Sequence, residues 1–211
     1  MELLIIRHAL PVRVDNRHTG EEADPTLSDL GRRQADALAH WLAVHPAGTT
    51  DGGHNEQIDA IYSGPKRRAL ETAAPLAGQL GLDVIVDQDL DEFDFGEPEY
   101  IPIEELKAAR DPRWLEFMSE DSIPEPEVFR ARVIAAMERI VLANPGRRVA
   151  VSCHGGVIGA YLSHLLGIDR IFFFEAAYTS VSRVLAASSG ERSVGSMNEL
   201  AHLRLAGVAL Y

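Results

Sequence analysis

The chain lacks a pair of cysteines, a long hydrophobic run and any surplus of positive charge, and each absence removes a class of protein. With Cys153 as its one cysteine it can form no internal disulfide, a usage that suits a reducing compartment and points to the cytoplasm. The apolar run at residues 3–6 is broken by Arg7, which makes it too short for a secretory signal, and no later run approaches a membrane span. A net charge of −12 argues against nucleic acid and anionic membrane surfaces as partners, because both require a basic face. What remains is 211 residues, 46% of them hydrophobic, which is enough to bury a full core. A single domain over residues 1–211 is expected.

The negative charge is unevenly placed. Residues 87–127 hold 15 acidic and 3 basic side chains and so carry the whole net charge, while the rest has 17 of each sign. This acidic excursion reads either as a solvated surface segment or as a cover over the functional site.

Around it, apolar runs alternate with helical patterns. Residues 3–6, 58–62, 84–86 and 149–152 read as strands, with 172–174, 181–187 and 194–197 as later candidates. Helices are expected from an N-cap at Ser28 to about Leu42, over 66–80 with Gly81 as the stop, over 127–143, and from His154-Gly155-Gly156 through Leu166. Residues 9–27 and 47–57 read as loop. Alternating strands and helices imply an α/β fold, a three-layer α/β/α sandwich with a mainly parallel central sheet, whose ligands bind at the carboxyl ends of the strands.

That edge is where the chemistry collects. Arg7-His8 directly follows the first strand and His154-Gly155-Gly156 a later one. The two glycines let backbone approach a ligand closely, and the helix behind them offers free N–H groups to an anion. Arg68 sits just past another strand, at the first turn of a helix, where its guanidinium can fork onto phosphate oxygens. The histidines show no His-Glu-x-x-His spacing of a metal site.

Taken together and in order, Arg7-His8, the run from Leu27-Ser28-Asp29-Leu30-Gly31 to Ala35, the Arg68 segment and Ser152-Cys153-His154-Gly155-Gly156 resemble the histidine phosphatase superfamily, the phosphoglycerate mutase-like fold. A weaker echo lies at residues 198–203. The resemblance implies that His8 is the phosphorylated nucleophile, that Arg7, Arg68 and His154 hold the phosphate, and that Glu92 is the proton donor, with Asp94 as the alternative. Two departures stand out. The family usually places Gly, then Glu or Gln, after the nucleophile and an Asn six residues beyond it, where this chain has Ala9, Leu10 and Val14. Arg13, or else Arg17, is the candidate to fill that gap in the phosphate shell. Cys153 reads as packing at the end of a buried strand.

The resulting expectation is a metal-independent phosphomonoester hydrolase that needs no cofactor, acts on a small phosphorylated metabolite through a phosphohistidine, and works best at weakly acidic pH. The alternatives are a mutase, which returns the phosphoryl group to a second hydroxyl, and a non-catalytic scaffold on the same fold. Phe93, Phe95, Tyr100, Trp114 and Phe117 are candidates to meet the leaving group. Edge strands near the C-terminus make a homodimer reasonable.

Overall fold

Hydrophobic alternation along the first strand sets the layers. In the computed structural model, which describes residues 1–44, 57–93 and 96–211, β1 (Glu2–Arg7) turns Leu3 and Ile5 to one face of the sheet and Leu4 and Ile6 to the other. All four are buried. β2 (Val14–Asp15) and α1 (Asp29–Val44) follow, then β3 (Ala60–Ser63), α2 (Arg67–Leu80) and β4 (Val84–Val86). The acidic segment contributes β5 (Glu99–Tyr100), α3 (Ile103–Ala108) and α4 (Arg113–Phe117). α5 (Pro126–Ala143), β6 (Arg148–Cys153), α6 (Gly155–Leu166), β7 (Val181–Ala186), β8 (Arg192–Glu199) and α7 (Ala201–Ala206) complete the order.

The main sheet runs β4-β3-β6-β1-β7-β8, with the first four strands mutually parallel, β7 antiparallel to β1 and β8 antiparallel to β7. Leu38, Leu42, Ala73 and Leu76 from α1 and α2 pack on Leu4, Ile6 and Ala150. Val133, Met137 and Ile140 of α5, with Val157, Ile158 and Tyr161 of α6, pack on Leu3, Ile5, Val149 and Val151. Each such aliphatic side chain stabilises the fold by roughly 1.5–3 kcal/mol through burial. The three-layer α/β/α arrangement is the one expected.

Local signals were largely obeyed. Ser28 Oγ accepts the Gly31 N–H at 3.0 Å, the N-cap geometry that starts α1. Gly81 ends α2 with φ 66°. Proline sets the helices of the acidic segment, with Pro102 and Pro112 at the N-cap positions of α3 and α4 and Pro126 opening α5.

Two readings need correction. Residues 172–174 form a loop, not a strand, because among the described residues no strand pairs with them, and Phe172 and Phe174 line a cavity. Residues 9–27 are not all loop, since β2 pairs antiparallel with β5, Val14 opposite Tyr100. That ladder joins the start of the chain to the acidic segment. The expected loop at 47–57 falls almost wholly outside the described residues. Among the described residues, no helix is long and apolar enough to cross a membrane.

Candidate active site

Register aligns the strand ends that carry the chemistry. Arg7 lies opposite Cys153, and Ser63 opposite both Ser152 and Val86, so β1, β6, β3 and β4 finish level. His8, His154, the turn into α2 with Arg68, and the loop to Glu92 all emerge from that edge. Arg7, His8, Arg68, Glu92 and His154 are all buried there.

His8 is fixed at both its backbone and its ring. Its N–H donates to the Cys153 carbonyl at 2.9 Å. Nδ1 lies 2.8 Å from the Ala9 carbonyl, an acceptor only, so Nδ1 carries the proton and Nε2 keeps its lone pair. Burial first, then the nearby charges of Arg68 and Arg7, hold the His8 pKa well below its ordinary value. A neutral imidazole with a free lone pair is a nucleophile.

The segment behind His8 explains the missing polar side chains. The Ala9 N–H donates to Thr72 Oγ1 at 2.9 Å, and the Leu10 N–H to Gln34 Oε1 at 3.0 Å. Ser28 Oγ donates to the Leu10 carbonyl at 2.9 Å, and a Cβ on Gly31 would sit 2.0 Å from that same oxygen. The Leu27-to-Ala35 motif therefore works as a splint for the loop that aims His8, and Ala9 and Leu10 take part through backbone alone.

His154 lies beneath the cavity floor, its ring centroid 5.2 Å from that of His8. Neither of its ring nitrogens has a hydrogen-bond partner among the described residues. Burial, followed by the charge of Arg68, keeps it neutral by pulling its pKa well down. Gly64 makes room for it, since a Cβ there would meet the Leu90 carbonyl at 2.8 Å and His154 Nε2 at 3.3 Å. Arg7 donates from Nη1 to the Ala176 carbonyl and stacks over Tyr178, 4.1 Å from guanidinium carbon to ring centroid. Arg68 stacks over Tyr100 at 4.8 Å.

Glu92 enters from the other side. Its Oε2 accepts the Gly156 N–H at 2.9 Å, and its Oε1 accepts the Phe93 N–H at 3.2 Å. Gly156 admits that approach, because a Cβ would lie 2.4 Å from Glu92 Oε1. From α5, Arg132 donates to the carbonyls of Asp89 at 3.0 Å and Asp91 at 2.9 Å, clamping the loop that bears Glu92.

Above this floor opens a cavity of about 330 Å³. Most of its lining comes from residues 92–124. The charge pattern suits an oxyanion: Arg7, Arg68, neutral His8 and the start of α6 at Gly155 line the cavity, with neutral His154 beside His8.

A family model described as histidine phosphatase superfamily (branch 1) matches residues 3–199. The chain belongs to the histidine phosphatase superfamily. A bifunctional protein of Mycobacterium tuberculosis is 33% identical over 95% of this chain and 54% of its own length. The chain thus spans about half the length of such mycobacterial relatives. Phosphoserine phosphatase 1 of Hydrogenobacter thermophilus is 27% identical over 92% of this chain and 90% of its own. Among solved structures, a mycobacterial glucosyl-3-phosphoglycerate phosphatase has a TM-score of 0.70 at 22% identity, over 94% of this chain and 99% of its own, and so shares the fold.

Of the residues singled out from sequence, Arg7, His8, Arg68, Glu92 and His154 come together. Arg13 does not join them: its Nη2 lies 3.1 Å from Glu99 Oε1, its side chain is half exposed, and it is absent from the cavity lining. Arg17 pairs with Asp15 and, at 3.3 Å, with the same Glu99. Asp94 and Phe95 lie outside the described residues, as does the side chain of Phe117. Phe93 and Tyr100 line the cavity, whereas Trp114 lies under Lys107, 5.6 Å from its nitrogen.

Sequence reading missed three contributors. Lys66 is buried and bonded to Glu22, and its charge helps to keep His154 neutral. Arg132 clamps the Glu92 loop, and Tyr178 backs Arg7. Position two residues before Arg68, in the same turn, was the available signal for Lys66. Arg132 and Tyr178 act across the fold and carried none.

Proposed function

We propose that this protein is a phosphomonoester hydrolase that works through a phosphohistidine on His8. The observation that carries the reading is the buried, neutral His8, its Nδ1 proton tied to the Ala9 carbonyl, set between two guanidiniums. The lone pair on Nε2 attacks phosphorus in line, so a P–N bond forms as the ester P–O bond breaks. Arg7 and Arg68 balance a phosphate dianion, and His154 donates an N–H to an equatorial oxygen. Glu92 gives its proton to the departing alcohol oxygen, then takes one from the water that cleaves the P–N bond. Asp94 is the alternative donor. Arg13, held by Glu99, belongs to the rim in this reading rather than to the phosphate shell.

The relatives named as phosphatases of phosphoserine and of glucosyl-3-phosphoglycerate support hydrolysis of a small phosphorylated metabolite. The whole chain is read as one unit, with the acidic segment as the cover of the site, cytoplasmic in keeping with its single buried thiol. The free edge of the sheet at β8 is the place where a second copy would pair.

The test is a rapid quench with a phosphomonoester labelled on phosphorus. The expected product is one acid-labile, alkali-stable phosphoryl group per chain in the wild type and none in His8→Ala, with hydrolysis lost alongside. Undiminished hydrolysis by His8→Ala would overturn the mechanism.

A further inference from the structure

The phosphate floor holds the positive charge that the cavity shows its ligand, and the space above it has a different character. Phe93, Ile101, Ile103, Met118, Phe172 and Phe174 wall that space. Phe93 is braced edge-on by Phe129 and Phe172, with ring centroids 5.9 and 5.8 Å away, so this wall is built rather than incidental. Besides Glu92, the charged residues beyond the floor are Glu97, Glu99 and Glu175.

Basic side chains stand beside two of these acids. Glu99 is reached by Arg13, Arg17 and Arg113 at 3.1, 3.3 and 3.7 Å, and Glu175 by Lys107. Lys107 also lies 3.7 Å from Glu104. Glu99 and Glu175 line the cavity, and their basic partners do not. Beyond the floor, a ligand carboxylate would meet glutamate oxygens and greasy side chains, with the cations beside Glu99 and Glu175 already paired to them.

We propose that the substrates are monoesters of apolar alcohols that carry no anionic group besides the phosphate. Phosphorylated hydroxy acids are selected against. The volume of about 330 Å³ stands at the small end of the range for ligand sites, which suits a single ring or a short aliphatic body. This inference rests on the phosphohistidine reading of the floor.

The test uses 2-phenylethyl phosphate and its para-carboxylated analogue, which share a primary-alcohol leaving group and differ in one distant charge. Wild-type kcat/KM is expected to favour the neutral ester by on the order of tenfold, a like-charge contact at a partly solvated mouth. 3-Phosphoglycerate and phosphoserine should fall with the carboxylated ester. Glu175→Gln, which removes a wall charge and leaves Lys107 with Glu104 alone, is expected to raise kcat/KM severalfold more for the carboxylated ester than for the neutral one. Equal or better turnover of the carboxylated ester by wild type overturns the proposal, and that comparison needs no variant to fold. A Glu175→Gln effect equal on both esters overturns its electrostatic basis. If the carboxylated ester is preferred while His8 is still phosphorylated, the substrate class alone falls. If neither ester phosphorylates His8, the reading of the floor falls with it.

Discussion

Gly156→Ala separates the role of Glu92 from that of the phosphate floor. The added Cβ would stand 2.4 Å from Glu92 Oε1 and 2.9 Å from Phe93 Cε1, and the carboxylate, at the end of a flexible side chain, is the group that must give way. Its move breaks the 2.9 Å bond from the Gly156 N–H to Oε2. Stability changes little: overpacking costs about 1–3 kcal/mol, and Ala in place of Gly within a helix returns about 1 kcal/mol. Catalysis changes far more, since a positioned acid–base group contributes about 10²–10⁴-fold, or about 3–5 kcal/mol of barrier.

The loss should depend on the leaving group. An alkyl ester needs its departing oxygen protonated, so its hydrolysis should fall by that full factor. A nitrophenyl ester leaves without help, so His8 should still be phosphorylated, and the missing base should then stall hydrolysis of the phosphoenzyme. The expected record is a burst of one nitrophenol per chain followed by slow turnover, in a variant with near wild-type melting. Alkyl turnover within threefold of wild type refutes the reasoning. So does a nitrophenyl burst lost in equal measure, which would place the damage in the phosphate grip.

Three further outcomes follow from the geometry. Arg132→Met should lower kcat about tenfold with KM little changed, because the Glu92 loop loses its clamp on two carbonyls, and Arg132→Lys should recover part of it; steady-state kinetics on all three proteins checks this. Thr72→Val keeps the shape but strips the Ala9 N–H of its acceptor, at about 1–3 kcal/mol for a buried unsatisfied donor, measurable by denaturant unfolding. The folded forms of His8, His154 and His202 take up a proton less readily than the unfolded chain, so stability should be flat above about pH 6.5 and decline as pH falls below it. Burial lowers His202 to about 4, so its share of that decline is about 3 kcal/mol between pH 6.5 and 4. His202→Gln should remove that share from the unfolding curves, and a stability profile unchanged by it would refute the assignment.

How much of this was legible in the sequence depended on whether a signal was local. A strand end followed by a histidine is local, and because parallel strands finish level, two such ends far apart in sequence meet without any further information. Arg68 follows by the same logic one strand along. Glu92 was reachable only by resemblance, since nothing in an acidic run tells one carboxylate from the next. What distinguishes it is the Gly156 N–H, 64 residues away, and the Arg132 clamp beneath. The same reason bears on Arg13. Beside His8 in sequence it looked free to reach the phosphate, but the β2–β5 ladder, invisible in a two-residue strand, carries it to Glu99. The positions that seemed most damaged show the converse. Ala9 and Leu10 have lost polar side chains, yet their peptide groups, bonded to Thr72, Gln34 and Ser28, are what hold His8 in place. Side-chain identity alone therefore understates this loop, whose part in the site is carried by the peptide backbone and fixed by residues in α1 and α2.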